Sequence, residues 1–219
     1  MINSDILIIF VKYPTPGLVK TRLAKSIGDK KAAALYRLFV EVILKRTNAK
    51  SFTRIIFYTP VKKEERMRAW LGKKLEMFPQ RGRNLGLKLT DAFAFAFKRG
   101  ARRVIAIGTD SPTLNKDLIT KAFSKLKKVE CVIGPALDGG YYLIGLSHFN
   151  PGIFRGVRWG TNKVLEKTQD KLQKFGLEYM FLNPEPDIDS FEDLCLFKQR
   201  LSANNRTNSL GLSYFVNMC

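Results

Sequence analysis

Cysteine and histidine are scarce in this sequence, and their scarcity excludes several kinds of site. The 219 residues include three cysteines and one histidine. The cysteines, Cys131, Cys195 and Cys219, are widely separated, so neither a zinc site nor a disulfide framework is predicted, and a reducing cytoplasm is the expected setting. His148 has no partner at the spacing of a metal site or a catalytic triad. Together with the absence of G-x-S-x-G, this disfavours a hydrolase with a serine or cysteine nucleophile.

Long hydrophobic runs and the common glycine-rich nucleotide motifs are also missing. The apolar run from Ile6 to Val11 is too short to span a bilayer, and it lacks the flanking features of a signal peptide. We therefore expect no transmembrane segment and interpret this run as a first buried strand. Neither G-x-x-x-x-G-K-[ST] nor G-x-G-x-x-G occurs, so a nucleotide would have to be bound by a different kind of loop.

Acidic residues are few compared with basic ones. There are 38 lysines and arginines against 19 aspartates and glutamates, which gives a formal net charge of +19. Such a charge favours anionic partners, among them nucleotides, nucleic acids and anionic membrane surfaces. Because no DNA- or RNA-binding motif is present, basic side chains spread over a solvated surface are favoured over a nucleic-acid groove.

The order of apolar runs predicts an α/β protein. Hydrophobic residues make up 45% of the chain and charged residues 26%, values typical of a folded globular protein. Strands are predicted at 6–11, 54–59, 74–78, 103–108, 130–135, 140–146 and 177–182, and helices near 29–47, 61–71, 84–99, 115–127, 161–175 and 190–201. This alternation is typical of a mostly parallel sheet. We expect one domain over residues 1–203 and a loosely ordered tail at 204–219.

Two segments depart from a simple alternation of strands and helices. The two adjacent runs on either side of Asp138-Gly139-Gly140 predict an antiparallel or mixed element. In residues 85–97 the apolar residues alternate towards the end, which by period alone favours a strand. Because the run is long and contains good helix formers, we predict a helix, with its phenylalanines in the core.

A proline- and glycine-rich turn follows the first strand and contains several cations. It reads KYPTPGLVKTRL over residues 12–23. The prolines restrict the backbone, Gly17 permits a close approach to a ligand, and lysine, arginine and backbone N–H groups suit phosphate oxygens. The segment predicts a pyrophosphate-binding loop, with an ordinary basic surface loop as the alternative.

Three aspartates lie where predicted strands end or a helix begins. Asp110 follows a buried strand, and a carboxylate there can bind Mg²⁺ or Mn²⁺, although it can also cap the next turn. Asp138 lies beside two glycines and two tyrosines, a combination suited to an acceptor or sugar ring but equally to a tight turn between strands. The candidates for a second metal ligand are Asp138 and the cluster Asp187-Ile188-Asp189. Asp189 and Ser190 also match a helix N-cap, with Asp193 in a capping-box position.

Six segments together resemble the DUF2064 or "transferase 1" family, relatives of 2-phospho-L-lactate guanylyltransferase. They are residues 10–24 (FVKYPTPGLVKTRLA), 80–89 (QRGRNLGLKL), 107–112 (IGTDSP), 134–146 (GPALDGGYYLIGL), 159–161 (WGT) and 187–194 (DIDSFEDL). Their order and spacing extend over nearly the whole chain up to about residue 200.

This resemblance implies a fold and a set of site residues. The fold is the nucleotide-diphospho-sugar transferase fold, a three-layer α/β/α sandwich with a mostly parallel mixed sheet. Asp110 and Asp138 would be catalytic, and Asp110 and Asp189 would bind Mg²⁺ or Mn²⁺. The residues implied to bind the nucleotide or its phosphates are Lys12, Gly17, Lys20, Arg22, Gln80, Gly86 and Thr109. The acceptor would contact Gly139, Gly140 and Tyr141.

One segment departs from the family pattern. In the 80–89 block, similar proteins generally have an acidic residue before Leu-Gly and an arginine soon after it. Here these positions hold Asn84 and Lys88. A lysine does not reproduce the bidentate fork of an arginine, so recognition through this segment should differ.

Three functions remain open from the sequence. The leading hypothesis is a metal-assisted transferase that uses a nucleotide sugar and a small-molecule acceptor. The alternative is a nucleotidyltransferase that joins a nucleoside triphosphate to a phosphorylated small acceptor and releases pyrophosphate. A non-catalytic nucleotide- or RNA-binding protein is the third and least favoured.

Overall fold

A seven-stranded mixed sheet runs through the part of the protein that the computed structural model describes, residues 4–203. The strands are β1 (Asp5–Lys12), β2 (Thr53–Thr59), β3 (Glu76–Pro79), β4 (Arg103–Ile107), β5 (Cys131–Pro135), β6 (Tyr141–Leu146) and β7 (Tyr179–Phe181). The α-helices are α1 (Thr21–Ile27), α2 (Asp29–Arg46), α3 (Glu64–Leu71), α4 (Leu85–Lys98), α5 (Lys116–Lys125), α6 (Val164–Lys174) and α7 (Phe191–Ala203). Short 3₁₀ turns cover Val61–Lys63 and Pro151–Phe154.

The strand order is β3-β2-β1-β4-β6-β5-β7, and β6 is antiparallel to both of its neighbours. The remaining pairs are parallel. The carboxyl ends of the parallel strands therefore share one edge of the sheet, and the turn between β5 and β6 reaches the same edge. This confirms the antiparallel element predicted around residues 138–140.

Helices cover both faces of the sheet, because alternate residues of the buried strands point in opposite directions. In β1, Leu7 and Ile9 pack with side chains of α2, α3 and α5, whereas Ile6 and Ile8 pack with side chains of α4 and α6. The result is the predicted three-layer α/β/α sandwich. A smaller apolar cluster joins α1, α2 and α7 and includes Ile188. That cluster holds the segment just before α7 against α1 and α2.

The helix predicted from residues 84–99 is α4, which confirms the choice of helix over strand. Its buried side chains Leu89, Ala92, Phe93 and Ala96 recur at helical spacing and face the sheet. Asn84, one of the two departures from the family pattern, is the helix N-cap, and its side chain accepts a hydrogen bond of 2.9 Å from the Leu87 backbone N–H. A capping amide satisfies a backbone donor that would otherwise lack a partner.

The largest difference from the sequence prediction is α1. Residues 21–27 form a separate short helix before α2, where the sequence suggested only the end of a basic turn. The helix is seven residues long and carries just two buried side chains, Leu23 and Ala24, so it leaves little periodic signal. The tail predicted at 204–219 lies outside the described residues. Among the described helices, none combines the length and the apolar character needed to cross a membrane.

Candidate functional site

The first loop places Lys20 inside the protein at the carboxyl edge of the sheet. The loop turns after β1, where the Tyr13 backbone N–H donates to the Thr59 carbonyl and the Lys12 ammonium donates to the Leu18 carbonyl. Lys20 then adopts φ 48°, in the left-handed region, immediately before α1 begins. This backbone conformation turns the Lys20 side chain inward, where it is 2% exposed.

The Lys20 ammonium joins two of the predicted acidic residues. It forms ion pairs with Oδ1 of Asp110, which follows β4, and with Oδ1 of Asp189, just before α7, the latter at 2.8 Å. Burial lowers the pKa of Lys20, but attraction to the two carboxylates outweighs that effect and raises the pKa to about 12. Lys20 is therefore a permanent cation at neutral pH.

A further carboxyl group, that of Asp187, lies behind this ion-pair network. Its Oδ1 accepts a hydrogen bond of 2.5 Å from the Ser111 hydroxyl. Burial raises the pKa of Asp187 to about 7, and repulsion from Asp110 and Asp138 acts in the same direction, while the Ser111 hydrogen bond and Lys20 oppose it. Asp187 therefore changes its charge near neutral pH.

The cavity beside these residues has a volume of about 490 Å³. Its walls come from the first loop, the ends of β1 and β4, the start of α4, and the first residues of β6. Tyr36 of α2 closes part of the floor, because its hydroxyl accepts from the Lys12 backbone N–H at 2.9 Å and lies 2.9 Å from the Thr109 hydroxyl oxygen. Burial raises the pKa of Tyr36 to about 12, with repulsion from Asp110 adding to the rise, so this phenol stays neutral.

Gln80, which follows β3, lines the same cavity. Its side-chain nitrogen donates to the Phe57 carbonyl at 2.8 Å, and its backbone N–H donates to the Tyr58 carbonyl at 2.8 Å. These bonds hold the side chain against the sheet edge. The amide carbonyl of Gln80 has acceptor capacity for a ligand N–H group.

The cavity brings together seven of the thirteen residues predicted for the site. Its lining includes Lys12, Lys20, Gln80, Thr109, Asp110, Tyr141 and Asp189. These residues come from the first loop, the region after β3, the end of β4, β6 and the segment before α7. The metal-ligand prediction of Asp110 with Asp189 therefore joins residues that are neighbours in space although they are distant in sequence.

The other six predicted residues do not line the cavity. Gly17 turns beside Asp29, and Arg22 is exposed on α1. Gly86 packs against Trp159, where an added Cβ would lie 2.3 Å from the indole nitrogen. Packing between α4 and the 155–160 segment thus accounts for Gly86 without a ligand.

The remaining three, Asp138, Gly139 and Gly140, form the turn between β5 and β6. The Ala136 backbone N–H donates to the Gly140 carbonyl at 3.1 Å, and Asp138 Oδ1 accepts from the Gly140 backbone N–H at 2.9 Å. The turn interpretation of this segment is therefore confirmed. Asp138 is exposed, although its charge contributes to the raised pKa of Asp187, which places it at the same edge.

Several residues of this edge were missing from the predicted site. Tyr36, Ser111, Tyr142 and Asp187 make hydrogen bonds in or beside the cavity. Tyr36 lies in the middle of an ordinary amphipathic helix, so no local pattern distinguishes it. Asp187 had a signal, its place in the Asp187-Ile188-Asp189 cluster. The capping predicted for Ser190 and Asp193 is confirmed, because their side chains accept hydrogen bonds from each other's backbone N–H groups.

The donor set of this edge fits a divalent cation. Within residues 4–203 there is no group of three or more His, Cys, Asp and Glu side chains arranged around one point. Asp110 and Asp189 nevertheless converge on a common cation, the Lys20 ammonium. Mg²⁺ is commonly held by one or two carboxylates, with water and substrate phosphates as its other ligands, so two aspartates are sufficient.

Comparison with solved structures finds the same fold in several proteins. A protein from Desulfovibrio desulfuricans G20, whose name assigns it to the nucleotide-diphospho-sugar transferases, is 34% identical, with a TM-score of 0.89 over 97% of this chain and 99% of that one. A cytidylyltransferase from Leptospira borgpetersenii is 12% identical, with a TM-score of 0.57 over 98% and 96% of the two chains. A Mycobacterium tuberculosis H37Rv protein in complex with manganese is 11% identical, with a TM-score of 0.52 over 86% and 95%.

These comparisons confirm the predicted fold class and support the prediction of a transferase. No match is found among curated proteins. The sequence model of DUF2064, described as an uncharacterized protein conserved in bacteria, matches residues 42–161, which is more than half of the chain. The resemblance drawn from the six sequence segments is thereby confirmed, and the chain belongs to the DUF2064 family.

Proposed function

We propose that the protein is a metal-assisted transferase that takes a glycosyl group from a nucleotide sugar and passes it to a small-molecule acceptor. The observation that carries this proposal is the convergence of Asp110, Asp189 and Lys20 on the wall of a cavity at the carboxyl edge of the sheet. Open α/β sheets bind their ligands at this edge. The cavity volume of about 490 Å³ lies within the range of small-molecule sites.

In this proposal Asp110 and Asp189 hold Mg²⁺ or Mn²⁺. When bound, the metal ion would neutralise negative charge on the phosphate oxygens of the leaving nucleoside diphosphate. The side chains of Asp110 and Asp189 are 46% and 44% exposed, so both carboxylates have surface open to the cavity. The Lys20 side chain, whose ammonium lies between them, has almost no exposed surface.

In this proposal Lys12 and Lys20 both bind the diphosphate. Both line the cavity, and both belong to the first loop or to the strand before it. Cations fixed in a partly enclosed site stabilise the charge that develops on a leaving group more strongly than cations in water. Thr109 and Gln80 supply neutral hydrogen-bonding groups for the rest of the nucleotide.

The acceptor is assigned to the side of the cavity lined by β6, next to the turn that precedes this strand. Tyr141 presents an aromatic surface there, and Gly139 and Gly140 shape the adjoining turn. Asp138, exposed beside them, is the candidate to accept a proton from an acceptor hydroxyl. Because this assignment rests on placement alone, Asp138→Asn is its direct test, and a loss of turnover without a loss of nucleotide affinity would support it.

The second candidate is nucleotidyl transfer, in which an acceptor phosphate attacks the α-phosphorus of a nucleoside triphosphate and pyrophosphate leaves. The observation that favours it is that Lys12 and residues 18–21, which include Lys20, line one wall of the cavity. They provide cations and backbone groups for several phosphates. The two reactions place the same loop on different phosphates. The released product, nucleoside diphosphate or pyrophosphate, distinguishes them.

The test is a thermal-shift and product screen of purified protein with Mg²⁺ or Mn²⁺ against nucleotide sugars and nucleoside triphosphates. Asp110→Ala should lose the metal-dependent shift and lower turnover at least about 100-fold, because it removes a charge-stabilising group from the site. Asp117→Ala, which removes an exposed aspartate outside the cavity, is the matched control and should retain both.

The outcomes separate the hypotheses. A shift with a nucleotide sugar and release of nucleoside diphosphate supports glycosyl transfer, whereas a shift with a triphosphate and release of pyrophosphate supports the second candidate. If no nucleotide gives a metal-dependent shift, both enzyme proposals fail. Salt-sensitive binding to RNA would then favour a non-catalytic role for the +19 charge.

A further inference from the structure

Lys20 is held in an unusual backbone conformation. It is the one non-glycine residue with positive φ among residues 4–203, a conformation that brings Cβ too close to the following carbonyl oxygen and that ordinary side chains therefore avoid. The side chain it directs inward is 2% exposed, and its ammonium lies 5.8 Å from the centre of the Phe39 ring. The surrounding structure therefore fixes where this positive charge lies.

The position that the ammonium takes is the point on which Asp110 and Asp189 converge. Each carboxylate contributes its Oδ1 atom to the same Nζ. A divalent cation that bound both of these Oδ1 atoms would need the same space. With Lys20 in place, the three groups have a net charge of −1, and a divalent cation would have to approach a buried ammonium.

We propose that Lys20 is an internal competitor of the metal ion, which occupies the cation position between Asp110 and Asp189 until a nucleotide phosphate draws its ammonium away. The metal then binds tightly only together with the nucleotide. This inference rests on the metal assignment within the proposed function. It adds that Lys20 couples the two ligands, beyond its contact with phosphate.

The phosphate supplies the physical reason for the exchange. Removing one partner from a buried ion pair is strongly unfavourable, so the Lys20 ammonium leaves the carboxylates only if another anion receives it. A phosphate oxygen in the adjoining cavity provides that anion, while the metal ion compensates the two aspartates. Because binding linkage is reciprocal, the metal favours nucleotide binding by the same factor by which the nucleotide favours the metal.

The test measures Mn²⁺ binding to the protein without any nucleotide, by the loss of the free Mn²⁺ signal in electron paramagnetic resonance. Lys20→Met should bind Mn²⁺ about tenfold or more tightly than the wild type, within the usual range of such coupling. Lys20→Gln should show the same direction, and it retains a hydrogen-bond donor if Lys20→Met fails to fold. Lys20→Arg keeps the charge and should stay weak.

Lys12→Met is the matched control for charge. Lys12 lines the same cavity, but its ammonium contacts the Leu18 carbonyl and forms no ion pair with the two aspartates. The Lys12→Met variant should leave the Mn²⁺ affinity within about twofold of that of the wild type. The affinity gained in Lys20→Met should disappear when Asp110→Asn is added, which locates the new binding at these carboxylates.

Several results would overturn the proposal. Equal gains in Lys12→Met and Lys20→Met would show a general charge effect, and wild-type protein that binds Mn²⁺ as tightly as Lys20→Met would show no competition. Absence of Mn²⁺ binding in every variant would remove the metal assignment itself. Since no arm uses nucleotide or measures product, a failure of the proposed function to give turnover is distinguished from a failure of this inference.

Discussion

At the scale of single residues, the carboxylates at the edge of the sheet differ in how their charge is compensated. Asp110 and Asp189 share the Lys20 ammonium, whereas Asp187 has the Ser111 hydroxyl as its hydrogen-bond partner. Burial and neighbouring negative charges raise the pKa of Asp187 to about 7. Of these carboxyl groups, Asp187 is therefore the one whose titration the surrounding structure moves towards neutral pH.

Asp187 should make stability depend on pH. Its folded pKa of about 7 lies above the ordinary value of 3.8, so the folded protein binds more protons, and stability falls as pH rises from about 4 to about 7. Asp187→Asn, which can still accept from Ser111, should remove this loss. In urea unfolding with EDTA present, the variant should gain on the order of 3 kcal/mol over the wild type between pH 4 and pH 8.

The control for this prediction is Asp117→Asn, which removes an exposed carboxylate from the start of α5. It should show no comparable gain. If the difference between Asp187→Asn and the wild type is the same at both pH values, Asp187 binds its proton equally well in the folded and unfolded protein, and its place in the buried charge network must be revised.

At the scale of elements, the turn between β5 and β6 contains residue types that often bind ligands, but packing alone accounts for its glycine at position 139. Gly139 has φ 87°, and a Cβ there would lie 2.1 Å from the Asn162 carbonyl oxygen. Its own carbonyl accepts from the Leu165 backbone N–H at 2.9 Å. The turn is therefore packed against the start of α6, which accounts for glycine at this position independently of any acceptor.

Gly139→Ala should destabilise the protein more than Gly160→Ala. Both glycines have φ of 80° or more, but an added Cβ at Gly160 meets no atom within 4 Å. Gly160→Ala should cost about 1 to 2 kcal/mol for backbone strain alone. Gly139→Ala should cost about 1 to 3 kcal/mol more, because the collision is with backbone, which yields little. Urea unfolding of the two variants measures the difference, and equal losses would contradict the close contact with Asn162.

At the scale of the whole molecule, the two faces of one sheet carry separate apolar clusters that share their strands. Trp70 packs against the cluster under α2, α3 and α5, and Trp159 packs against the cluster under α4 and α6. Since β1 contributes alternate side chains to both, neither face can lose its packing without exposing the strands of the other. We therefore expect residues 4–203 to unfold as a single unit, which remains a prediction.

Single-tryptophan variants test this cooperativity. Trp70→Phe leaves Trp159 as the fluorescent reporter of one face, and Trp159→Phe leaves Trp70 as the reporter of the other. Within each variant, the urea midpoint from fluorescence should coincide with the midpoint from far-ultraviolet circular dichroism, as two-state unfolding requires. A fluorescence midpoint that precedes the circular dichroism midpoint in either variant would indicate that the faces unfold separately.

The fold class and the positions of most strands and helices could be predicted from the sequence alone. Hydrophobic runs, their lengths and the breaks between them are local properties, and they predicted the strands and the antiparallel pair around Asp138 because burial acts on each segment directly. The hydrophobic pattern did not predict α1, because a seven-residue helix with two buried side chains shows no clear helical period. The packing of Gly86 against Trp159 likewise left no local signal in the sequence.

Which charged groups meet follows from the folded arrangement of the strands and helices. Lys20 and Asp189 are 169 residues apart, Ser111 and Asp187 are 76 apart, and Tyr36 and Thr109 are 73 apart. Their proximity follows from the strand order, which gathers the carboxyl ends of distant strands at one edge, and from the packing of α7 on α1 and α2. Hydrophobic periodicity describes residues that are close along the chain, so it can predict a helix or a strand. It cannot predict that Lys20 pairs with two aspartates, because that pairing depends on distances between residues far apart in the sequence.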